Sequence, residues 1–135
     1  MNAYRQSERV WLTALVVAHL IISVVHGTAH ARADVPLSRA GTLFVFIVIV
    51  GAPLAGLALM WAVERAGALL IAIAMAGSLV FGVLNHFVFA SPDHVTHVAG
   101  QWRALFATTA VLLTLTEALS VGIGLRVAHI GENVS

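Results

Sequence analysis

Four long apolar segments, separated by short polar stretches, constrain the fold of this chain more than any other feature of its sequence. Each segment has about 20 residues or more, the length that a helix needs to cross the hydrocarbon core of a bilayer. The 135 residues are 60% hydrophobic and only 10% charged, whereas about a quarter of a soluble domain is charged. The sequence therefore predicts an all-α integral membrane protein with spans at residues 10–29, 40–63, 67–90 and 102–127.

The polar connections are short, so neighbouring spans must run antiparallel. The whole chain, 1–135, is expected to form a single domain, an up-down antiparallel four-helix bundle in the bilayer. Pro53 lies inside the second span and predicts a kink there. Between the third and fourth spans, Ser91 suits an N-cap and Pro92 a first helical position, which predicts a short interfacial helix over 92–98.

The arginines suggest an orientation. They divide between the two faces of the bundle as Arg5, Arg9, Arg65 and Arg126 against Arg32, Arg39 and Arg103. By the positive-inside rule, this division favours cytoplasmic termini, and a prokaryotic-type cell membrane is the expected location. A basic start, an apolar run and the small-x-small residues 31–33 also resemble a signal peptide. The length of that run and the histidine within it favour a retained first span.

Three histidines form a polar stripe on the first span. At about 100° per residue, His19, His26 and His30 fall within about 40° of one another on a helix. The first and third spans of an antiparallel bundle end on the same face, so His26 and His30 should approach His86. The i, i+4 spacing of His26 and His30 also places two imidazoles close enough to share a metal ion.

The loop after the third span leaves from that same face. It contains Asp93, His94 and His97. Their spacing supplies either further ligands or a carboxylate that fixes the tautomer of a ligating histidine. With no cysteine in the chain, any metal must be held by imidazole or oxygen ligands, which suits zinc, copper or iron. The candidate metal ligands are therefore His26, His30, His86, Asp93, His94 and His97.

Two ionisable residues lie deeper in the spans. His19 is near the middle of the first span and Glu117 near the middle of the fourth, so the two are expected to pair. Ionisable groups at this depth are costly and usually face a partner or a cavity. The pair is compatible with a proton relay, an ion path or a second metal site. The alternative is a neutral pair that serves structure only.

Three functions follow from these residues. The first is a membrane protein with a His-rich transition-metal site at one face, linked to the His19–Glu117 pair, for redox chemistry, metal transfer or hydrolysis. The second is a b-type haem cytochrome with His26 and His86 as axial ligands. The third is a non-catalytic membrane subunit or assembly factor, since 135 residues leave little room for a substrate pocket. Whether the protein is an enzyme stays open.

The expected partners follow from composition. The lipid bilayer is the first, and a membrane-protein partner or a second copy is the next, because the second span carries few polar side chains to mark an inward face. Nucleic acid is excluded as a partner, since the net charge is only +1 and no basic patch is present.

Overall fold

The computed structural model describes residues 3–132, and four long helices account for most of them. All four are long and apolar enough to cross a membrane, so the all-helical fold is confirmed. The helices are α1 (Ala3–Arg32), α2 (Arg39–Ala62), α3 (Glu64–Val88) and α4 (Arg103–Glu132), the last preceded by a 3-10 turn at Gly100–Trp102.

Side-chain contacts show that the helices alternate in direction. The start of α1 meets the start of α3 through Arg9 and Glu64, whose side chains are 3.4 Å apart. The end of α1 meets the end of α3 and the start of α4 through His26, which contacts His86 and Thr109. Helices α1 and α3 are therefore parallel to each other, and α4 is antiparallel to both.

Helix α2 contains a π-helical segment, Val45–Gly51, immediately before the turn that carries Pro53. In a regular α-helix the carbonyl of Ile49 would accept the N–H of residue 53, and proline has none. The Nε2 atom of His19 lies 3.0 Å from that carbonyl oxygen. A carbonyl can only accept, so His19 donates to it and carries its proton on Nε2. Pro53, which was expected to kink α2, thus leaves the Ile49 carbonyl free to accept the hydrogen bond from His19.

The prediction of a short helix over residues 92–98 is wrong. These residues form two successive turns, with the His94 N–H donating to the Ser91 carbonyl and the His97 N–H to the His94 carbonyl. The hydroxyl of Ser91 accepts the Asp93 N–H, 3.2 Å away, so this serine organises a turn instead of capping a helix. The turns fold Asp93 inward and leave His97 exposed.

The half of the bundle near the chain termini has a tightly packed apolar core. Its fully buried members include Leu12 and Val16 of α1 and Ile71 and Met75 of α3. The two helices of the α2–α3 hairpin approach closely at Gly67, where an added Cβ would collide with the Met60 backbone nitrogen. On the outside, all four helices expose large apolar side chains, which suits contact with lipid and not with water; examples are Ile21, Val24, Phe46, Ile73 and Leu119.

Candidate metal centre

Three histidines from two helices meet at the end of the bundle opposite the chain termini. His26 and His30 lie one turn apart in α1, and His86 lies in the π-helical last turn of α3, Leu84–Val88. All three are buried, and each can offer one ring nitrogen so that the three atoms lie within 4.8 Å of one another. This cluster, named here the histidine cluster, could hold a metal ion.

The closest approach in the cluster joins two ring nitrogens. The Nε2 atoms of His26 and His86 are 3.2 Å apart. A zinc ion about 2.05 Å from both atoms would subtend an angle of about 103° between them, close to the tetrahedral value of about 109°. The pair is therefore spaced as two ligands of one tetrahedral ion are.

The other ring nitrogen of each histidine has a separate partner. The Nδ1 atom of His86 lies 3.1 Å from the backbone carbonyl oxygen of Asp93. A carbonyl only accepts, so His86 carries its proton on Nδ1 and leaves the Nε2 lone pair facing His26. A metal-ligating histidine is usually held in this way, by a donor bond from its second nitrogen.

His26 is oriented by a threonine of α4. The Thr109 hydroxyl donates to the Leu105 carbonyl at 2.7 Å, and its oxygen lies 2.8 Å from His26 Nδ1, whose N–H it accepts. The Nε2 lone pair of His26 then faces that of His86. If Thr109 turned its proton to His26 instead, His26 would donate from Nε2 to His86. The space between the two Nε2 atoms can therefore hold a proton or a metal ion. Without either, the two lone pairs would face each other and repel.

Asp93 adds a negative charge beside the cluster. Its Oδ1 atom lies 3.1 Å from His30 Nε2 and 3.2 Å from His86 Nδ1, yet it is buried without an aligned hydrogen bond. Burial alone would raise the pKa of this carboxyl, but the two imidazoles beside it lower that pKa well below its usual range. The carboxylate is therefore ionised and favours a cation at the cluster.

The third imidazole, His30, packs against the other aromatic rings of the site. The His30 ring packs edge-on against His26, with centroids 4.8 Å apart, and both rings contact Phe106 of α4. The His30 Nδ1 atom lies 3.5 Å from the Val35 carbonyl oxygen, at the outer limit of a hydrogen bond. The main polar neighbour of His30 is therefore the Asp93 carboxylate, 3.1 Å from its Nε2 atom.

Three of the expected ligands lie outside the histidine cluster: Asp93, which lies beside it, and His94 and His97, which lie farther away. His94 Nδ1 accepts the Thr96 N–H at 3.2 Å, and His97 Nδ1 donates to the Ser91 carbonyl at 2.6 Å. Their rings face each other, with centroids 5.2 Å apart, on the surface turns. Among the described residues, the group able to hold a metal contains neither of them.

The deeper pair is in contact. His19 Nδ1 lies 3.6 Å from Glu117 Oε1, and both side chains are buried. Since His19 donates from Nε2 to Ile49, its Nδ1 presents a lone pair, and this atom has no hydrogen bond among the described residues. A carboxylate and a lone pair would repel, so a proton on either group would stabilise the pair.

A cavity of about 240 Å³ joins the two sites. His26, His30 and His86 border it at one end and Glu117 borders it deeper in the bundle. Sequence reasoning placed these residues at two depths but did not foresee a space between them. Thr109 and Phe106 were not among the predicted site residues, although their i, i+3 spacing at the start of the fourth span could have marked a shared inward face.

Comparison with family models, with curated proteins and with solved structures finds no match for this chain. What the protein does must therefore be inferred from its own residues. They define an all-α bundle with four helices apolar enough to span a membrane and a buried three-histidine cluster that could bind a metal.

Proposed function

We propose that this protein is an integral membrane protein that binds one divalent transition metal ion through His26, His30 and His86. The observation that carries the proposal is the 3.2 Å approach of two Nε2 atoms whose partner nitrogens are already hydrogen-bonded. Lone pairs at this distance repel unless a proton or a metal ion lies between them, and three imidazoles around one point suit the metal ion. The ionised Asp93 carboxylate beside the cluster supports the same conclusion.

Asp93 acts in this proposal as the group that orients the ligands. Its backbone carbonyl accepts the His86 Nδ1–H, and its carboxylate lies beside both His86 and His30. Carboxylate–histidine–metal arrangements fix ring orientation and raise the basicity of the ligand. Three imidazoles suit zinc or copper, and iron is the less favoured alternative because its non-haem oxygenase sites use two histidines and a carboxylate.

Three protein ligands leave a fourth tetrahedral position for water or substrate, as in catalytic zinc sites. A metal there supplies Lewis acidity or an activated water. We therefore favour metal-dependent Lewis-acid or hydrolytic chemistry over metal storage. The His19–Glu117 pair borders the same cavity through Glu117 and is suited to hold or release a proton there.

The geometry is less favourable to haem. Axial histidines bind opposite faces of a macrocycle. The His26 and His86 nitrogens are 3.2 Å apart, and the His30 ring contacts both imidazoles, so no plane is left for a porphyrin between them. A purely structural role is also poorly supported, because buried Asp93 Oδ1 and His19 Nδ1 lack the hydrogen bonds that a structural network would provide.

Elemental analysis of the detergent-purified protein, combined with its visible spectrum, tests the proposal. After loading with zinc or copper and gel filtration, we expect one metal ion per chain and no Soret band. The His26→Ala/His86→Ala variant should lose the metal, whereas the matched surface variant His94→Ala/His97→Ala should keep it, both with unchanged helical circular dichroism. Metal retained by the first variant, or absent from the loaded wild-type protein, would refute the site. A Soret band would instead select haem.

A further inference from the structure

We infer that the cavity beside the histidine cluster is the ligand pocket of the metal centre and receives a small, neutral, apolar molecule with one oxygen function. This inference rests on the proposed function, because the oxygen is assigned to the open metal position. The cavity extends from the histidine cluster to Glu117 and is bordered by all four helices.

The volume of the cavity and the side chains that line it define the class of ligand. An apolar cavity of about 150 Å³ is enough to bind benzene, and this one has about 240 Å³. A single ring or a short alkyl chain with a polar head therefore fits. The walls between the polar ends are mainly apolar, so a charged ligand would lose its hydration without compensation; they include Val45, Phe46, Ile49, Phe81 and Leu113.

The polar residues at the two ends of the cavity define where the oxygen of the ligand binds. Three imidazoles leave one position of a tetrahedral ion open, and a hydroxyl or carbonyl oxygen can occupy it. Glu117 faces the same space and can exchange a hydrogen bond with the ligand. Behind Glu117 lies the fully buried His19, whose Nδ1 atom is 3.6 Å from Glu117 Oε1 and has no hydrogen bond among the described residues.

The mouth of the cavity opens on the side of the bundle. Helix α1 packs against α4 and α2 against α3, while α1 and α2 are joined by the bond from His19 to the Ile49 carbonyl. Beyond that bond toward the cluster, Gly27 of α1 and Phe46 of α2 both line the cavity and are exposed. In a membrane this opening faces lipid, so the ligand enters from the bilayer.

Gly82 keeps the two polar ends connected. A Cβ at this position would lie 3.9 Å from His86 Cδ2 and 4.0 Å from Glu117 Oε2. A larger side chain there would therefore fill the space between the cluster and Glu117, and those distances are ordinary contacts that leave the helix undisturbed. The matched control is Gly122, where a Cβ would meet nothing within 4 Å on the outside of α4.

The test uses 4-fluorophenol as the probe and cobalt(II) as the metal, in detergent micelles followed by fluorine NMR. In the cobalt-loaded protein we expect saturable paramagnetic broadening of the probe signal, absent from empty micelles and from the zinc-loaded protein. Gly82→Leu should weaken probe binding at least about tenfold while the cobalt visible bands persist, and Gly122→Leu should leave both unchanged. Gly82→Ala should give an intermediate loss.

The outcomes separate this inference from the proposed function. Cobalt bands at the cluster with no saturable broadening, or with equal broadening in Gly82→Leu, would overturn the ligand pocket alone. Absence of cobalt bands in the wild-type protein would overturn the metal centre. In that case a saturable shift of the probe in metal-free protein, lost in Gly82→Leu, would still support the pocket, and no shift would overturn it too.

Discussion

The half of the bundle near the chain termini is filled mainly by apolar side chains, whereas the opposite half contains a group of buried polar side chains, among them His26, His86, Asp93 and Thr109, and a cavity. Leu12, Met60 and Met75 are at most 2% exposed in the first half. In the second half, space that apolar side chains could fill is left open between His86 and Glu117. Burying polar groups costs free energy, so the first half supplies the stability that the second does not.

Removing a core side chain from the packed half should have the largest effect on stability. Leu12→Ala leaves a cavity among fully buried neighbours and should lower the free energy of unfolding by about 2–5 kcal/mol. Unfolding in mixed micelles by SDS titration measures this change. Leu125→Ala, on an outward position that is 52% exposed, is the control. A loss of metal affinity beyond about threefold in folded Leu12→Ala would show that the halves are coupled.

Neutralising Asp93 should have the largest effect on metal affinity short of removing a ligand. Loss of a group that orients metal ligands costs about 10- to 100-fold, and Asp93→Asn should lie near the upper end because it also removes a buried charge. A chelator-competition titration measures the dissociation constant. Asp34→Asn, on an exposed loop residue, should change it little. Equal constants for the two variants would contradict the orienting role.

Removing the partner of His26 should have a smaller effect. Thr109→Val keeps the shape of a buried residue but deletes the oxygen that accepts the His26 Nδ1–H. We expect metal affinity to fall about tenfold, the lower end of the range for such neighbours, because the lost group is neutral. Thr116→Val removes a hydroxyl that bonds to the Leu112 and Leu113 carbonyls of its own helix, and this variant serves as the control. Unchanged affinity would show that Thr109 does not position the ligand.

Replacing the surface histidines His94 and His97 should have the smallest effect on metal affinity. His94→Ala and His97→Ala alter side chains that bond within their own turns. Each variant should change metal affinity by less than about threefold, since neither ring belongs to the group of potential ligands. The same titration measures this, and a tenfold loss in either variant would extend the centre onto the loop.

Periodicity and span length allowed much of the site to be predicted. The i, i+4 spacing placed His26 and His30 on one face, and short connections required the first and third helices to end together, near His86. The loop was harder to predict. Ser91 and Pro92 have the chemistry of a helix start, but the same serine hydroxyl bonds the Asp93 N–H in a turn. Local signals of this kind do not choose between a cap and a turn.

The sequence by itself determined the number of long helices and the position of each polar residue along its helix, because hydrophobic length and helical rise are local properties. Only the tertiary structure decided which hydrogen-bond partners His19, His26 and His86 have. That choice depends on the Asp93 carbonyl, the Thr109 hydroxyl and the Ile49 carbonyl, which come from distant parts of the chain. The cavity was likewise decided in three dimensions, because a void arises from the side chains of four helices together.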